Sequence, residues 1–221
     1  MPRLARVDVA NNIYHVINRA TGRLQIFSER SDYQLFTDLL LEAKEITDMR
    51  VLGYTIMPNH WHLILHPRID GDLGAFMHRL TNSHTRRVHS RTKTIGHGPL
   101  YQGRYKSFMV DKDDYFLTLL KYVERNPVRA KLVKTCEEWQ WGSAQLRKRA
   151  DTKLLSESPV PLPERYFEWI NASEREDSLY AIRNSVNKGA PYGRDRWVDA
   201  MVKEYSLETT LRSGERPKTK Y

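Results

Sequence analysis

The sequence predicts an α+β fold, an antiparallel or mixed sheet with helices packed on one face, followed by a small helical region at the C-terminal end. Three observations predict it. Short stretches with two-residue alternation of apolar side chains interleave with stretches of 3.6-residue periodicity, in the order strand, helix, strand, strand, helix, strand, helix. Two of the β-rich stretches are separated only by Pro58 and Asn59, a turn-forming pair that makes them a hairpin. Beyond a stretch with three prolines, Ser156 to Pro163, only helical patterns follow.

Each element has its own signal. Asn12 to Asn18 alternates as a strand, with Ile13, His15 and Ile17 on one face and Tyr14 and Val16 on the other. Ser31 followed by Gln34 has the form of a capping box, and Phe36, Leu39, Leu40, Ala43 and Ile46 continue at helical spacing through Asp48. Val51 to Met57 and His60 to His66 are the hairpin strands. Leu73, Phe76, Met77, Leu80, His84 and Val88 form one stripe of a second helix and leave Arg79 and Arg86 on another side. Lys106 to Val110 is a fourth strand. Asp111 offers an N-cap, with Asp113 and Asp114 in the first turn, for a third helix that runs to about Arg125 and is ended by Pro127. This order suits the ferredoxin-like sandwich. The expected organisation is therefore a domain over 1–150, a Pro-rich linker over 151–163 and a helical region over 164–221 with a basic tail, Arg212 to Lys220. In that region Glu164 to Asn171, Arg175 to Val186 and Asp195 to Tyr205 are helical in pattern. The last two form either a helix-turn-helix or a plain packed appendage.

Composition narrows the partners. A chain of 221 residues buries a sizeable core, and its single cysteine, Cys136, forms no internal disulfide, as expected in a reducing cytoplasm. Met1 to Val9 lacks the apolar run of a signal peptide, and no stretch of about 18 apolar residues predicts a membrane span. A net charge of +9 and a pI near 9.6 point to a polyanion, nucleic acid or anionic lipid. From His78 to Lys106 the chain carries Arg79, Arg86, Arg87, Arg91, Lys93, Arg104 and Lys106 and no Asp or Glu. An isolated charge run is usually a solvated helix face. Tyr101, Gln102 and Tyr105 interleaved within this one add stacking surface to cations, which favours nucleic acid.

Two clusters carry chemistry. His60 and His62 alternate with Trp61 on a strand, so both imidazoles emerge on one face, where they either serve as hydrogen-bonded structural groups or share a metal ion. The apolar Leu63, Ile64 and Leu65 beside them imply a buried strand, where a metal offsets the cost of desolvation. His66 shares the alternation as a possible third ligand, but lies at the strand's edge and is expected at the surface. On the third helix Tyr115, Leu119, Tyr122 and Asn126 share a stripe, so Tyr122 and Asn126 stand one turn apart. A helical tyrosine is ordinarily core or rim; near a cation it becomes a candidate nucleophile. Tyr115 is the reserve candidate on the same stripe.

The run Met57-Pro-Asn-His-Trp-His-Leu-Ile-Leu-His66, followed by Tyr101-Gln-Gly-Arg-Tyr-Lys106 and Tyr122-Val-Glu-Arg-Asn-Pro-Val-Arg-Ala130, resembles the REP-associated tyrosine transposases, single-tyrosine HUH endonucleases of the IS200-like superfamily. Tyr14-His-Val-Ile-Asn-Arg19 is similar too. The resemblance covers Asn11 to about Ser143. It implies that His60 and His62 hold Mg²⁺ or Mn²⁺, that Tyr122 is the nucleophile, and that Asn126 stands where relatives place a further polar metal ligand. Many of those relatives have glutamine there, and Asn126 is one methylene shorter. The implied activity is cleavage and rejoining of single-stranded DNA beside a REP-like hairpin through a 5′-phosphotyrosine link, by a monomer working at the nucleoid. Candidate DNA contacts are Arg19, Arg79, Arg86, Arg87, Arg104, Lys106, Arg125 and Arg129. Two rival readings remain: a hairpin-binding protein whose active site has decayed, and a zinc hydrolase built on His60, His62 and His66.

Overall fold

In the computed structural model, which describes residues 6–211, the four alternating stretches pair into one antiparallel sheet in the order β2-β3-β1-β4. The strands are β1 (Ile13–Arg19), β2 (Arg50–Met57), β3 (His60–His66) and β4 (Lys106–Val110). Alternation sorts the side chains. Tyr14, Val16, Trp61, Leu63 and Leu65 enter a core with α1 (Arg30–Thr47) and α2 (Asp72–Thr92), the arrangement expected of the ferredoxin-like plan. The expectation of helices on one face holds for this pair only, because α3 (Asp114–Glu124) lies across the opposite face. There Phe116, Leu119, Leu120 and Val123 pack with Ile13, Leu52, Ile64 and Phe108. Each of the four helix side chains contributes about 2 kcal/mol on burial, which outweighs the marginal stability of a helix of 11 residues in isolation. Gly53 permits the close approach: a Cβ there would stand 2.6 Å from Leu120 Cδ1.

Several boundaries differ from the sequence reading. The capping box of α1 is formed by Glu29 and Asp32, not Ser31 and Gln34. The Asp32 carboxylate accepts from the Ser28 and Glu29 N–H groups at 2.8 and 2.9 Å and pairs with Arg91 of α2, a charged acceptor that a hydroxyl does not match. Ile46 is 55% exposed and lines a shallow groove together with Gly74 and Ala75 of α2. Asp111 does not cap α3; its carboxylate is taken by Arg194 at 2.7 and 3.1 Å and by the Lys112 N–H at 2.9 Å. Nor does Pro127 stop the helical course. Arg125 bridges directly into α4 (Asn126–Arg129), where the proline occupies the first turn and its missing N–H is no loss.

The stretch 151–163, expected as a linker, is a strap laid on the outer edge of β2. The Ser156 N–H donates to the Val51 carbonyl at 2.8 Å, and Leu154 is 4% exposed. The other sheet edge is covered as well, because the Tyr192 N–H reaches the Met109 carbonyl at 2.9 Å and the Tyr192 carbonyl accepts from the Asp111 N–H at 2.8 Å. After α5 (Ser143–Lys148) and α6 (Tyr166–Asn171), α7 (Glu176–Lys188) packs Leu179 and Ile182 on the α3 face. In contrast, α8 (Asp195–Glu204) places Val202 in the α1/α2 core. The two helices thus straddle the sheet, and the helix-turn-helix alternative fails. The basic tail, Arg212 to Lys220, lies outside the described residues. Among the described residues no helix is long and apolar enough to cross a membrane.

Candidate active site

His60 and His62 project from β3 onto the face covered by α3, while Trp61 points the other way and donates to the Tyr101 hydroxyl at 3.0 Å. The two imidazole centroids are 5.1 Å apart. Their hydrogen bonds decide which nitrogen each presents. Asn59 donates its Nδ2 to the Arg23 carbonyl at 3.3 Å, so its Oδ1, 2.7 Å from His60 Nδ1, accepts. His60 then carries its proton on Nδ1 and keeps the Nε2 lone pair. His62 Nδ1 lies 2.9 Å from Nε2 of His15, a residue of 0% exposure whose ring stacks on it at 5.0 Å. If His62 donates here, its Nε2 also stays unprotonated. A metal-binding imidazole has this form, one nitrogen held by a protein partner and the other free.

Burial, with lesser contributions from His15, His60, Arg129 and Arg19, holds the pKa of His62 well below the ordinary imidazole value. Burial and then Arg19 lower that of His60 to about 4, and burial alone lowers that of His15 to about 3. All three rings are therefore neutral at pH 7, as ligands must be. The donor set fits a divalent cation. Among the described residues no third His, Cys, Asp or Glu completes a metal cluster, so a further protein donor would have to be a neutral oxygen. His66 is excluded by distance, being four residues and about 13 Å along the strand from His62. It is also 6% exposed, not at the surface as expected, because Asn11 and Arg50 close over that end of β3. The zinc-hydrolase reading loses its third ligand with it.

Helix α3 brings Tyr122 to the same place. Its ring centroid is 6.0 Å from that of His62 and 6.4 Å from that of His15, and the residue is 8% exposed. Tyr115, two turns earlier, packs instead on Tyr192 at 5.1 Å. The position of Tyr122 is fixed from behind. Buried Glu124 accepts from Ser143 Oγ, from Arg147 at 2.6 Å and from the Tyr166 hydroxyl at 2.7 Å, and Thr55 Oγ1 donates to the Val123 carbonyl at 2.9 Å. Asn126 donates Nδ2 to the Tyr122 carbonyl at 3.3 Å, leaving Oδ1 as its acceptor. The guanidinium of Arg129 lies 4.3 Å over the Tyr122 ring, donates to the Tyr122 carbonyl at 2.6 Å and pairs with Glu174 at 2.7 Å.

The cations expected to meet DNA divide into three groups. Arg19, Arg104 and Lys106 line a cleft beside the imidazoles and enter no ion pair among the described residues. Arg79, Arg86 and Arg87 are exposed on α2, where only Arg79 and Arg87 approach a carboxylate, that of Glu42, at 3.5 and 3.9 Å. Arg125 and Arg129 depart from the expectation. Arg125 is bound to Glu174 and to the Ile170 and Asn171 carbonyls, with its side chain 12% exposed, and Arg129 serves Tyr122 and Glu174. Both tie the end of α3 and α4 to the C-terminal region, which the sequence pattern did not place beside them. The sequence reading also missed His15 as a partner of His62; the one signal was its place on the same strand face as Ile17.

A family model for IS200-like transposases matches residues 8–126, more than half of the chain. Among solved structures, the chain is similar to a REP-associated tyrosine transposase bound to a REP hairpin, at 16% identity and a TM-score of 0.57, over 73% of this chain and 95% of that one. A candidate transposase from Deinococcus radiodurans R1 is 18% identical over 71% of this chain and 100% of that one, with a TM-score of 0.40. Comparison with curated proteins finds no match. The matched stretch begins before β1 and ends at Asn126, so that it spans His15, His60, His62 and Tyr122, and the chain belongs to the IS200-like transposase family.

Proposed function

We propose that the protein is a metal-dependent single-strand DNA endonuclease and strand transferase that acts beside DNA hairpins, with Tyr122 as nucleophile and His60 and His62 as the metal-binding pair. One observation carries the reading: a buried tyrosine ring stands 6.0 Å from an imidazole whose second nitrogen is already occupied by another histidine. When bound, Mg²⁺ or Mn²⁺ supplies Lewis-acid polarisation of a phosphate oxygen. Of the two, the nitrogen ligands favour Mn²⁺, and Asn126 Oδ1 is the candidate neutral oxygen donor.

The chain's own groups then do the rest. Tyr122 Oη bonds to phosphorus, the bond from phosphorus to the 3′ oxygen breaks, the phenol proton passes to solvent, and the leaving oxygen takes a proton from solvent and departs as a 3′-OH. The resulting 5′-phosphotyrosine keeps the bond energy, so another 3′-OH can reverse the step and join strands without ATP. Arg129, over the Tyr122 ring, places positive charge beside the reacting phenol. Tyr122 stands beside His62 of its own chain, which fits a monomer, and a DNA substrate fits work at the nucleoid. The similar structure with a bound REP hairpin supports a hairpin as substrate, with α2 as the backbone contact through Arg79, Arg86 and Arg87. The test is a labelled hairpin with single-stranded flanks, incubated with Mn²⁺ and run on a denaturing gel. Wild-type protein forms a covalent adduct and Tyr122→Phe forms none while still binding the hairpin. An adduct retained by Tyr122→Phe refutes the assignment, and no adduct in wild type leaves a hairpin-binding protein.

A further inference from the structure

Next to the imidazole pair the sheet face opens into a cleft of about 250 Å³ lined by Ile17, Arg19, Gln102, Arg104, Lys106 and Asn187. Strand register sets its location. Ile17 is the ladder partner of His62, Arg19 that of His60, and Lys106 that of Ile17 from the other side. The cleft therefore begins one strand spacing, about 5 Å, from the proposed metal ligands.

Its chemistry is one-signed and unsatisfied. No carboxylate lines it. Besides the three cations, which enter no ion pair among the described residues, it holds three carboxamides: Asn18 is engaged by the Gly103 carbonyl and the Arg19 N–H, whereas Gln102 and Asn187 are exposed and neither side chain hydrogen-bonds to another described residue. Asn187 arrives from the C-terminal region for a clear reason. Gly189 closes α7 in the left-handed conformation at φ +73°, and Tyr192 then joins the edge of β4, which holds the last turn of α7 against the cleft. Tyr180, 76% exposed, and exposed Arg183 share the face of α7 that carries Asn187, at spacings of seven and four residues, so an aromatic ring and a cation lead toward the opening. A solvated helix face accounts for each residue singly; it does not account for two unengaged amides and three cations without an ion pair among the described residues lining one cleft. The family match ends at residue 126, well before α7.

We propose that this cleft is a subsite for an unpaired deoxynucleotide next to the cleaved phosphate. Arg19, Arg104 and Lys106 hold phosphate oxygens, and the carboxamides of Gln102 and Asn187 read the base edge, so that α7 sets the sequence preference of the strand flanking the hairpin. The inference rests on the reading of the preceding subsection. An amide presents a donor and an acceptor side by side, the complement of adenine's N6 and N7, and adenine is the expected base.

The experiment measures fluorescence anisotropy with hairpins whose flanking strand is varied one base at a time, using Tyr122→Phe protein so that no cleavage intervenes. The readout is the ratio of affinities for the best and worst base at each flanking position. Asn187→Ala is expected to reduce that ratio about 10-fold at one position, as loss of one bidentate base contact does. Gln102→Ala should act at the same position. An unchanged base profile in both variants overturns the subsite, even when wild-type protein forms its adduct. Absence of an adduct with the base profile intact overturns the nuclease reading alone, and absence of any DNA binding overturns both.

Discussion

Replacing His15 by phenylalanine isolates what holds His62 in its metal-binding form. The ring that phenylalanine supplies fills nearly the same space, between the His62 ring at 5.0 Å, Phe108 at 4.9 Å and Tyr122 at 6.4 Å. The loss is the 2.9 Å contact from His15 Nε2 to His62 Nδ1. Two consequences for stability oppose each other. With His62 as the donor of that contact, the variant leaves it an unpaired buried N–H, at a cost of about 1–3 kcal/mol. The variant also removes His15 Nδ1, which has no hydrogen-bond partner among the described residues. The melting temperature should therefore move little. Metal affinity should not be spared: removing the partner of a metal-binding imidazole typically costs about 10- to 100-fold. Titration of free Mn²⁺, followed by electron paramagnetic resonance, is expected to show that weakening in His15→Phe. His15→Gln, whose amide oxygen can accept from His62 Nδ1, should recover part of it. An unchanged Mn²⁺ affinity in His15→Phe, with wild-type protein binding the ion, would refute the role assigned to this contact.

Stability should fall on mild acidification. His15 and His84 have folded pKa values lowered to about 3 from 6.5, chiefly by burial. Below pH 6.5 the unfolded chain takes up protons that the folded one refuses, so stability is lost as pH falls toward 3, by up to about 1.4 kcal/mol per pH unit for each ring; chemical denaturation at pH 7 and 5.5 checks this. Glu174→Gln should cost about 3 kcal/mol, because the side chain of Glu174 is 8% exposed and holds both Arg125 and Arg129. A denaturant midpoint equal to that of wild type would show that this junction contributes nothing. Arg86→Ala should weaken hairpin binding uniformly across sequences and lower the slope of log affinity against log salt by about 0.9 if its phosphate contact is made.

Much of the scaffold was legible in the sequence. The α2 stripe from Leu73 to Val88 is buried at every position expected, and the bounds of β3 and β4 match the pattern. Period-two alternation placed His60 and His62 on one face, and helical spacing put Tyr115, Tyr122 and Asn126 on one stripe, because both depend only on neighbours along the chain; the family resemblance singled out Tyr122. What the pattern left out depends on partners distant in sequence. Asp111 resembled a cap until Arg194, 83 residues away, claimed it. Arg129 resembled a DNA contact until Glu174 drew it over Tyr122.

The sequence by itself settled the order and type of the elements, the strand face that carries the imidazoles, and the basic character of the surface. Only the tertiary structure decided that α3 crosses the imidazole face, that His15 takes the second nitrogen of His62, that the 151–163 strap and the C-terminal region close one sheet edge each, and that the latter supplies a wall of the cleft. The reason is physical. Periodicity reports which side of an element is buried, whereas strand register and helix docking are set by close packing between segments that have no local signal of each other.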